Sequence, residues 1–356
     1  MAVGFDPANS KVLGEPHPVV ENVMQAFAMM DYYHTAAGQF SISDAGWLLY
    51  ASGGLLPDPK NSLVWVDQNG KEEAVTEREF PFWQARLSPD GQRIAYVTMG
   101  LERRIWVYDL ARGTNSQLTF KGRAHYPFWS ATGKKIVFEW IESCSKGRHW
   151  LPYDWSSPME LYRNPTGEEL GLSSPDGRSI AVSSSSPGTG FDIALMDTQS
   201  AQEIPFLYSK FDEAYPEVSP DGRWIAYTSN ENQDRSEVYV QDFPGLTFKC
   251  QVSTGGGREP LWSRDGKRIF YRWLGQIWAA EIKTDGGFMP GKPVMLFEHE
   301  QTRYSMCYPM RCWDLSRDSQ RFLMVKREQM TPAPVTELIL VQNWFEELKR
   351  LVPTGK

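Results

Sequence analysis

Leu87-Ser88-Pro89-Asp90-Gly91-Gln92-Arg93-Ile94-Ala95-Tyr96 reads as a turn set between two apolar runs, and its recurrence decides the fold. Pro presets the backbone of the first central turn residue, and Asp can accept a bond from the N–H two residues on. Gly supplies the left-handed conformation that a type I turn with a bulge requires. Ile94 and Tyr96, two apart, then share one face of a strand. The stretch is a β-hairpin joining two buried strands. Clean copies recur as Ser174-Pro175-Asp176-Gly177 and Ser219-Pro220-Asp221-Gly222. Degraded copies are Ser43-Asp44-Ala45-Gly46, Ser130-Ala131-Thr132-Gly133, Ser263-Arg264-Asp265-Gly266 and Ser316-Arg317-Asp318-Ser319. Their last residues stand at 46, 91, 133, 177, 222, 266 and 319, in steps of 45, 42, 44, 45, 44 and 53 residues. Strand-rich units at roughly 40–45 residues are propeller blades.

Ile136/Phe138, Ile225/Tyr227 and Ile269/Tyr271 repeat the alternation, and third strands follow at 104–108, 236–241 and 276–282. Four short strands fit each period. The expected fold is all-β: a β-propeller of four-stranded antiparallel blades, seven by the count of anchors, with six and a fragment as the other count. Ser319 in place of Gly, and Thr132 in place of Asp, are expected to weaken their turns without abolishing them. Turn chemistry accounts for every residue of the phrase, so the phrase itself carries no catalytic reading.

The chain ends are informative. Residues 2–20 resemble residues 279–297, with Gly14-Glu15-Pro16 matching Gly291-Lys292-Pro293. The second copy supplies the outer strands of the blade anchored at 266, so the first reads as the outer half of a blade without its inner half. The last anchor is followed only by 337–342 as a third strand, which N-terminal residues would complete. Strands from both termini would then close the ring and leave no open sheet edge. On this reading 1–356 is one propeller: 1–40 partial outer strands and lead-in, 41–342 repeats, 343–352 a short helix. Trp344, Phe345, Leu348 and Leu351 form one face of that helix, expected to dock on the last blade. Between anchors 133 and 177 the chain inserts 141–154, with Cys144, Lys146, Arg148, His149 and Trp150, and Trp155 just after. Little room remains before Leu170 for an outer strand. A functional loop and a local repair of a shortened blade are both open readings.

With 41% hydrophobic and 13% aromatic residues among 356, the core is ample; a net charge of −7 argues against nucleic acid or an anionic membrane as partner. No apolar stretch of about 18 residues is present, so no membrane insertion is expected, and residues 1–7 lack the pattern of an export signal. Cys144, Cys250, Cys307 and Cys312 show neither C-x-x-C nor zinc spacing. They read as buried thiols, with Cys307–Cys312 the one pair weighed as a disulfide. The chain is expected to be a monomer.

Motifs for catalysis are missing. G-x-S-x-G, H-E-x-x-H, Walker A and the EF-hand loop do not occur, and His17, His34, His125, His149 and His299 never fall at ligand spacing. Gly255-Gly256-Gly257 reads as a connecting loop rather than a phosphate cradle. Neither cofactor nor metal is expected. Carboxylates are plentiful, so a glycosidase pair stays open, although the S-x-D-x-G-x-x-W turn of sialidases is met only partly by Ser43-Asp44-Ala45-Gly46-Trp47.

Position gives a better candidate. If the strand before each turn is innermost, residues seven and eight before each anchor enter one mouth of the channel. They are Gln39, Trp83, Gln84, His125, Tyr126, Ala214, Tyr215, Arg258, Glu259, Arg311 and Cys312. Aromatics, amides and opposite charges converging on one opening suit ligand binding; solvated loop residues are the plainer alternative.

The repeated S-P-D-G-x-x-I-A-Y resembles the TolB-type, WD40-like repeat known as PD40. Several stretches are similar to the propeller region of bacterial serine/threonine protein kinases: Leu63-Val64-Trp65-Val66-Asp67, Glu237-Val238-Tyr239-Val240-Gln241-Asp242-Phe243-Pro244-Gly245, Gln251-Val252-Ser253-Thr254-Gly255-Gly256-Gly257 and Asn343-Trp344-Phe345-Glu346-Glu347-Leu348-Lys349. That resemblance implies a sensor or interaction module, periplasmic or extracellular, whereas the chain as written carries no signal and reads as cytoplasmic. No Gly-rich ATP loop, H-R-D or D-F-G is present, so kinase activity is not implied. The expected function is non-catalytic binding of a protein or small ligand. A glycosidase-type propeller, or a regulatory partner of a separate kinase or peptidase, is the alternative.

Overall fold

The computed structural model describes residues 1–24, 38–53, 60–76, 79–98, 103–142, 145–154, 156, 160–162, 169–173, 179–186, 188, 190–197, 203–232, 235–327 and 335–352. The turn at 174–177, Cys144, Trp155 and His34 lie outside the described residues.

The strands are β1 (Ala2–Asp6), β2 (Lys11–His17), β3 (Phe40–Ile42), β4 (Leu48–Ala51), β5 (Ser62–Asp67), β6 (Glu72–Ala74), β7 (Phe82–Leu87), β8 (Arg93–Thr98), β9 (Ile105–Asp109) and β10 (Thr114–Gln117). Next come β11 (Arg123–Trp129), β12 (Lys135–Glu142), β13 (Ser145–Pro152), β14 (Glu160–Tyr162), β15 (Glu169–Ser173), β16 (Ser179–Ser186), β17 (Gly190–Asp197), β18 (Glu203–Leu207), β19 (Glu213–Val218) and β20 (Trp224–Ser229). The last are β21 (Glu237–Asp242), β22 (Lys249–Gln251), β23 (Arg258–Trp262), β24 (Arg268–Trp273), β25 (Gln276–Lys283), β26 (Met289–Pro290), β27 (Val294–Glu298), β28 (Trp313–Leu315), β29 (Arg321–Lys326) and β30 (Leu338–Val341), before α1 (Trp344–Leu351).

Two compact units hold these elements: Met1–Asp58 with Gln329–Lys356, and Pro59–Glu328. The single body expected over 1–356 is therefore described as two.

In the larger unit, β7–β10, β11–β14, β15–β18 and β19–β22 are antiparallel sheets of four consecutive strands, and β23, β24 and β25 continue into β26 and β27. A sixth sheet runs β28-β29-β5-β6, with Phe322 opposite Val66 and Met324 opposite Val64. The expectation that 337–342 would be the third strand after the last anchor is corrected here: β5 takes that place, and β30 pairs with β4. Burial explains the choice. A strand between two neighbours within a stack of sheets is covered on both faces, and Leu63, Val64, Trp65 and Val66 are all buried, whereas β30 buries none of its residues fully. The described part of 141–154 is likewise no separate loop. It lengthens the β12–β13 hairpin, and β14 supplies the outer strand for which little room was expected.

Apolar side chains fill the spaces between successive sheets. Trp83 and Val107 pack with Ile136 and Phe138, and Phe128 and Val137 with Val182 and Ala194. Ala181 and Ile193 pack with Ile225 and Tyr227, and Val238 and Val240 with Trp262 and Ile269. Leu261 and Phe270 pack with Trp313 and Phe322, and Leu63 and Leu323 with Phe82 and Tyr96.

The turns follow the expected chemistry and add a part for Ser. Ser88 Oγ donates to Asp90 Oδ1 (2.5 Å) while accepting from Arg93 N (2.9 Å), and Asp90 Oδ1 accepts from Gln92 N (3.0 Å). The same exchange recurs at Ser219/Asp221, Ser263/Asp265 and Ser316/Asp318. Ser319 adopts φ 58° in the glycine place, and its turn survives.

The smaller unit holds the β1–β2 hairpin and the sheet β3-β4-β30. Helix α1 docks on the hairpin of the first anchor, not the last: Trp344 N donates to Gly46 O (2.7 Å), and the Phe345 ring lies against Gly46.

Candidate functional site

The first strands of four sheets slip register at one equivalent place, between Phe82 and Ala85, His125 and Phe128, Ala214 and Glu217, and Arg258 and Leu261. Seven residues before their anchors, Tyr126, Tyr215 and Glu259 take φ of 52°, 58° and 55°. Bulky L residues adopt this region at a cost of roughly 1 kcal/mol or more, so the surrounding structure must hold them there. Pro127, Pro216 and Pro260 follow. A proline has no N–H to leave unpaired at a bulge, and the bulge re-aims the large side chain before it.

The long connection from β27 to β28 is laid on these bulges. Cys307 and Cys312 form a disulfide with Cα atoms 5.4 Å apart, which corrects the reading of both as thiols; Cys250 remains a half-buried thiol. Tyr215 OH donates to Cys307 O (2.7 Å) and Tyr215 N to Pro309 O (3.2 Å). Tyr126 OH donates to Tyr308 O (3.5 Å), and Met310 packs on Tyr126. Tyr308 sets its ring edge-on to Phe191 (5.1 Å between centroids) and donates its OH to Asp212 Oδ2 (2.5 Å). Residues 307–310 therefore cap Tyr126 and Tyr215.

Beside the cap runs a buried ionic network. Arg86 Nε lies 3.4 Å from Asp314 Oδ2, and Arg311 Nη2 lies 3.7 Å from Asp314 Oδ1 while its Nη1 binds Glu217. Asp314 also accepts from Leu87 N (3.0 Å) and Leu315 N (2.9 Å). Burial would raise the Asp314 carboxyl, but Arg86 and Arg311 hold it below the ordinary value. Burial, helped by the charge of Arg311, brings Arg86 down to about 10. Glu259, fully buried and 3.6 Å from Arg272 Nη1, is pushed up by burial despite that guanidinium.

Several polar atoms here make no hydrogen bond: Trp83 Nε1, Gln84 Nε2, Arg86 Nε and Nη1, Arg272 Nη2 and Glu259 Oε1. Four of these atoms are donors on the single strand β7, and one of them, Arg86 Nε, is ion-paired to Asp314. Buried donors are normally satisfied, so such a concentration calls for a physical account. At the cap's edge, Glu213 accepts from Ser209 Oγ (2.6 Å) yet is pushed up to about 7, because burial outweighs that bond and Asp192 adds its own charge. Among the described residues, no three His, Cys, Asp or Glu side chains gather as metal ligands would.

The expected mouth residues are largely brought together, though under cover rather than on an open rim. Trp83, Gln84, His125, Tyr126, Ala214, Tyr215, Glu259, Arg311 and Cys312 are all buried. Gln84 Oε1 accepts from Tyr126 N (2.7 Å), His125 meets Arg103 Nη1 (2.9 Å), and Cys312 N donates to Glu259 Oε2 (3.2 Å). Arg258 turns aside to Ser236 Oγ (3.0 Å) and the Trp273 ring. Gln39 belongs to the smaller unit and is exposed. Sequence reasoning missed Arg86, Glu217 and Asp314. They stand five before their anchors, where Phe128 and Leu261 occupy the matching places, so a charge on a buried strand was the available signal. Within the smaller unit, a hollow of about 730 Å³ is lined by Phe40, Ile42, Leu48, Tyr50, Trp344 and Leu348.

No family model matches the chain. It is 23% identical over 227 residues to an uncharacterized peptidase of Bacillus subtilis, covering 50% of this chain and 34% of that protein. It is also 23% identical over 232 residues to a tricorn protease homologue of Streptomyces coelicolor, covering 61% of this chain and 22% of that one. The chain thus spans about a third or less of the length of these curated relatives. Among solved structures, a TolB of Agrobacterium tumefaciens superposes with a TM-score of 0.61 at 18% identity, covering 77% of this chain and 100% of that one. The fold is that of a TolB-like β-propeller.

Proposed function

We propose that the six sheets of the larger unit form a six-bladed ring, β5 and β6 completing the last blade, and that the protein binds a small ligand or a protein segment in the channel beneath the cap, without catalysis of its own. One observation carries this reading: the donors Trp83 Nε1, Gln84 Nε2 and Arg86 Nη1 on β7 without a hydrogen bond, at the place where first strands of different sheets meet. A bound polar molecule would give them partners. The mouth residues Trp83, Gln84, His125, Tyr126, Tyr215, Glu259 and Arg311 belong to this site, with Gln39 and Arg258 outside it. The Cys307–Cys312 bridge fits an oxidising compartment. We read the chain as a monomer.

The test is a thermal-shift screen of the whole chain against cell-wall glycans, peptides and metabolites, since a ligand that selects the folded state raises its melting point. A hit weakened by Gln84→Leu supports the channel; hits that Gln84→Leu leaves unchanged refute it.

A second reading has its own support. Two relatives are named for peptidase activity, and the Glu213 carboxyl, pushed up to about 7 chiefly by burial, suits a general acid. A propeller hydrolase, or a partner gating a separate peptidase or kinase, follows from it. Hydrolysis of nitrophenyl glycosides or fluorogenic peptides, lost in Glu213→Gln, would favour that reading over the first.

A further inference from the structure

The smaller unit repeats parts of a contact that the larger unit shows whole. Its cross-strand pairs Phe40/Tyr50 and Ile42/Leu48, on β3 and β4, match Trp313/Met324 and Leu315/Phe322 on β28 and β29. On the next strand, β30 sets Ile339 opposite Tyr50 and Val341 opposite Leu48, as β5 sets Val64 opposite Met324 and Val66 opposite Phe322. The facing wall matches too. Ala2 of β1 stands opposite His17 of β2, and Ala279 of β25 stands opposite Val294 of β27, the same positions that the likeness of 2–20 to 279–297 aligns. In the larger unit Ala279, Leu296 and Phe297 pack on Trp313 and Phe322 together with Leu261 of β23 and Phe270 of β24. In the smaller unit Ala2, Val19 and Val20 share the hollow of about 730 Å³ with Phe40, Ile42 and Leu48. There β1 pairs with β2 alone among the described residues, and nothing described stands where β23 and β24 would be. Burial records the difference: Trp313 and Leu315 are 0% exposed, whereas Phe40 is 58% and Ile42 42% exposed. The hollow is the space that Leu261 and Phe270 fill in the larger unit.

We propose that the free edge of β1 and this hollow form a docking surface for a β-hairpin of the repeat's own kind, supplied by another polypeptide. The second strand of that hairpin pairs with β1 as β24 pairs with β25, where Phe270 stands opposite Ala279. Its apolar side chains enter the hollow in the places that Leu261 and Phe270 hold in the larger unit. An open strand edge beside an uncovered apolar face is what strand addition uses: ladder bonds give affinity, and pockets for alternate side chains give specificity. The surface is continuous with packing already present, since Met1 and Ala2 form one wall of the hollow. A second copy of the chain has no such hairpin to spare. In every described hairpin of this kind the second strand is already paired on both edges, as β24 is by β23 and β25 and β4 is by β3 and β30. Nothing in this surface depends on the channel.

The experiment follows the fluorescence anisotropy of a labelled synthetic peptide, residues 258–273 of this chain, titrated with the full chain. That peptide is the β23–β24 hairpin, the probe that the correspondence selects. It should bind saturably, and Leu261→Asp with Phe270→Asp in the peptide should weaken it roughly a hundredfold or more. Phe40→Asp in the chain should weaken the unaltered peptide about tenfold or more. The unliganded melting midpoint should change little, because Phe40 is already largely exposed. Hydrogen exchange of the 2–4 amides should slow in the complex as β1 gains a ladder partner. No saturation by about 1 mM peptide, or equal binding to Phe40→Asp, overturns the proposal. A complex that leaves the 2–4 amides exchanging as before refutes strand addition and overturns it as well. A dimer of the chain in sedimentation that Phe40→Asp dissociates would make a second copy the occupant. Anilinonaphthalene sulfonate held in the hollow against excess peptide would make it a small-molecule site. Either result overturns the hairpin assignment.

Discussion

Replacing Glu213 by Gln isolates a single titration. Glu213 is 4% exposed; its carboxyl accepts from Ser209 Oγ and is pushed from 4.5 to about 7, chiefly by burial. Between pH 4.5 and 7 the folded chain holds a proton that the unfolded chain has released. Stability therefore falls as pH rises through this window and levels off above it. At 1.36 kcal/mol for each unit, the loss from this group is about 3 kcal/mol. Gln keeps the shape and the bond from Ser209 without ever charging. In urea unfolding, Glu213→Gln should match the wild type near pH 4.5 and exceed it by about 3 kcal/mol at pH 8, the comparison cancelling all other titrations. A difference that is the same at both pH values would refute burial of the Glu213 carboxyl beside Asp192.

Two further variants test the cap and the smaller unit. Cys307→Ser with Cys312→Ser should lower stability by about 2 kcal/mol, as expected for a short closed loop, and should make the 303–312 connection the first site cut in limited proteolysis. Gly46→Ala should cost about 1–2 kcal/mol, because Gly46 has φ 76° and a Cβ there would meet the Phe345 ring at 2.8 Å; hydrogen exchange of the 344–351 amides, faster in the variant, reads the loss.

Much of this architecture was legible from one phrase. Ser-Pro-Asp-Gly places a turn, and Ile94/Tyr96 and their equivalents place the second strand of each sheet, because turn geometry and period-two alternation are local properties. Which strand completes the last sheet was not local. β30 lies nearer in sequence, but β5 carries the doubly buried Leu63–Val66 run, and pairing across more than 250 residues leaves no mark on spacing. The bulges did leave one. Pro127, Pro216 and Pro260 interrupt strands at one repeat position, a signal carried by the amino-acid sequence itself. The cap left another, since its connection lies in the one step of 53 residues. The ionic network was hidden because Arg86, Glu217 and Asp314 come from separate strands, each a lone charge until the sheets meet.

The proposed channel requires that β5 be held on β29 and that the sixth sheet be whole. Native-state amide hydrogen exchange, read on peptides covering 62–67 and 321–326, tests that pairing most directly. The account predicts that both segments open with the same free energy, close to that of global unfolding, since they share one ladder and one buried face. Rapid exchange of 62–67 while 321–326 stays protected would mean that β5 is not part of the sheet, and would contradict the ring and its site together.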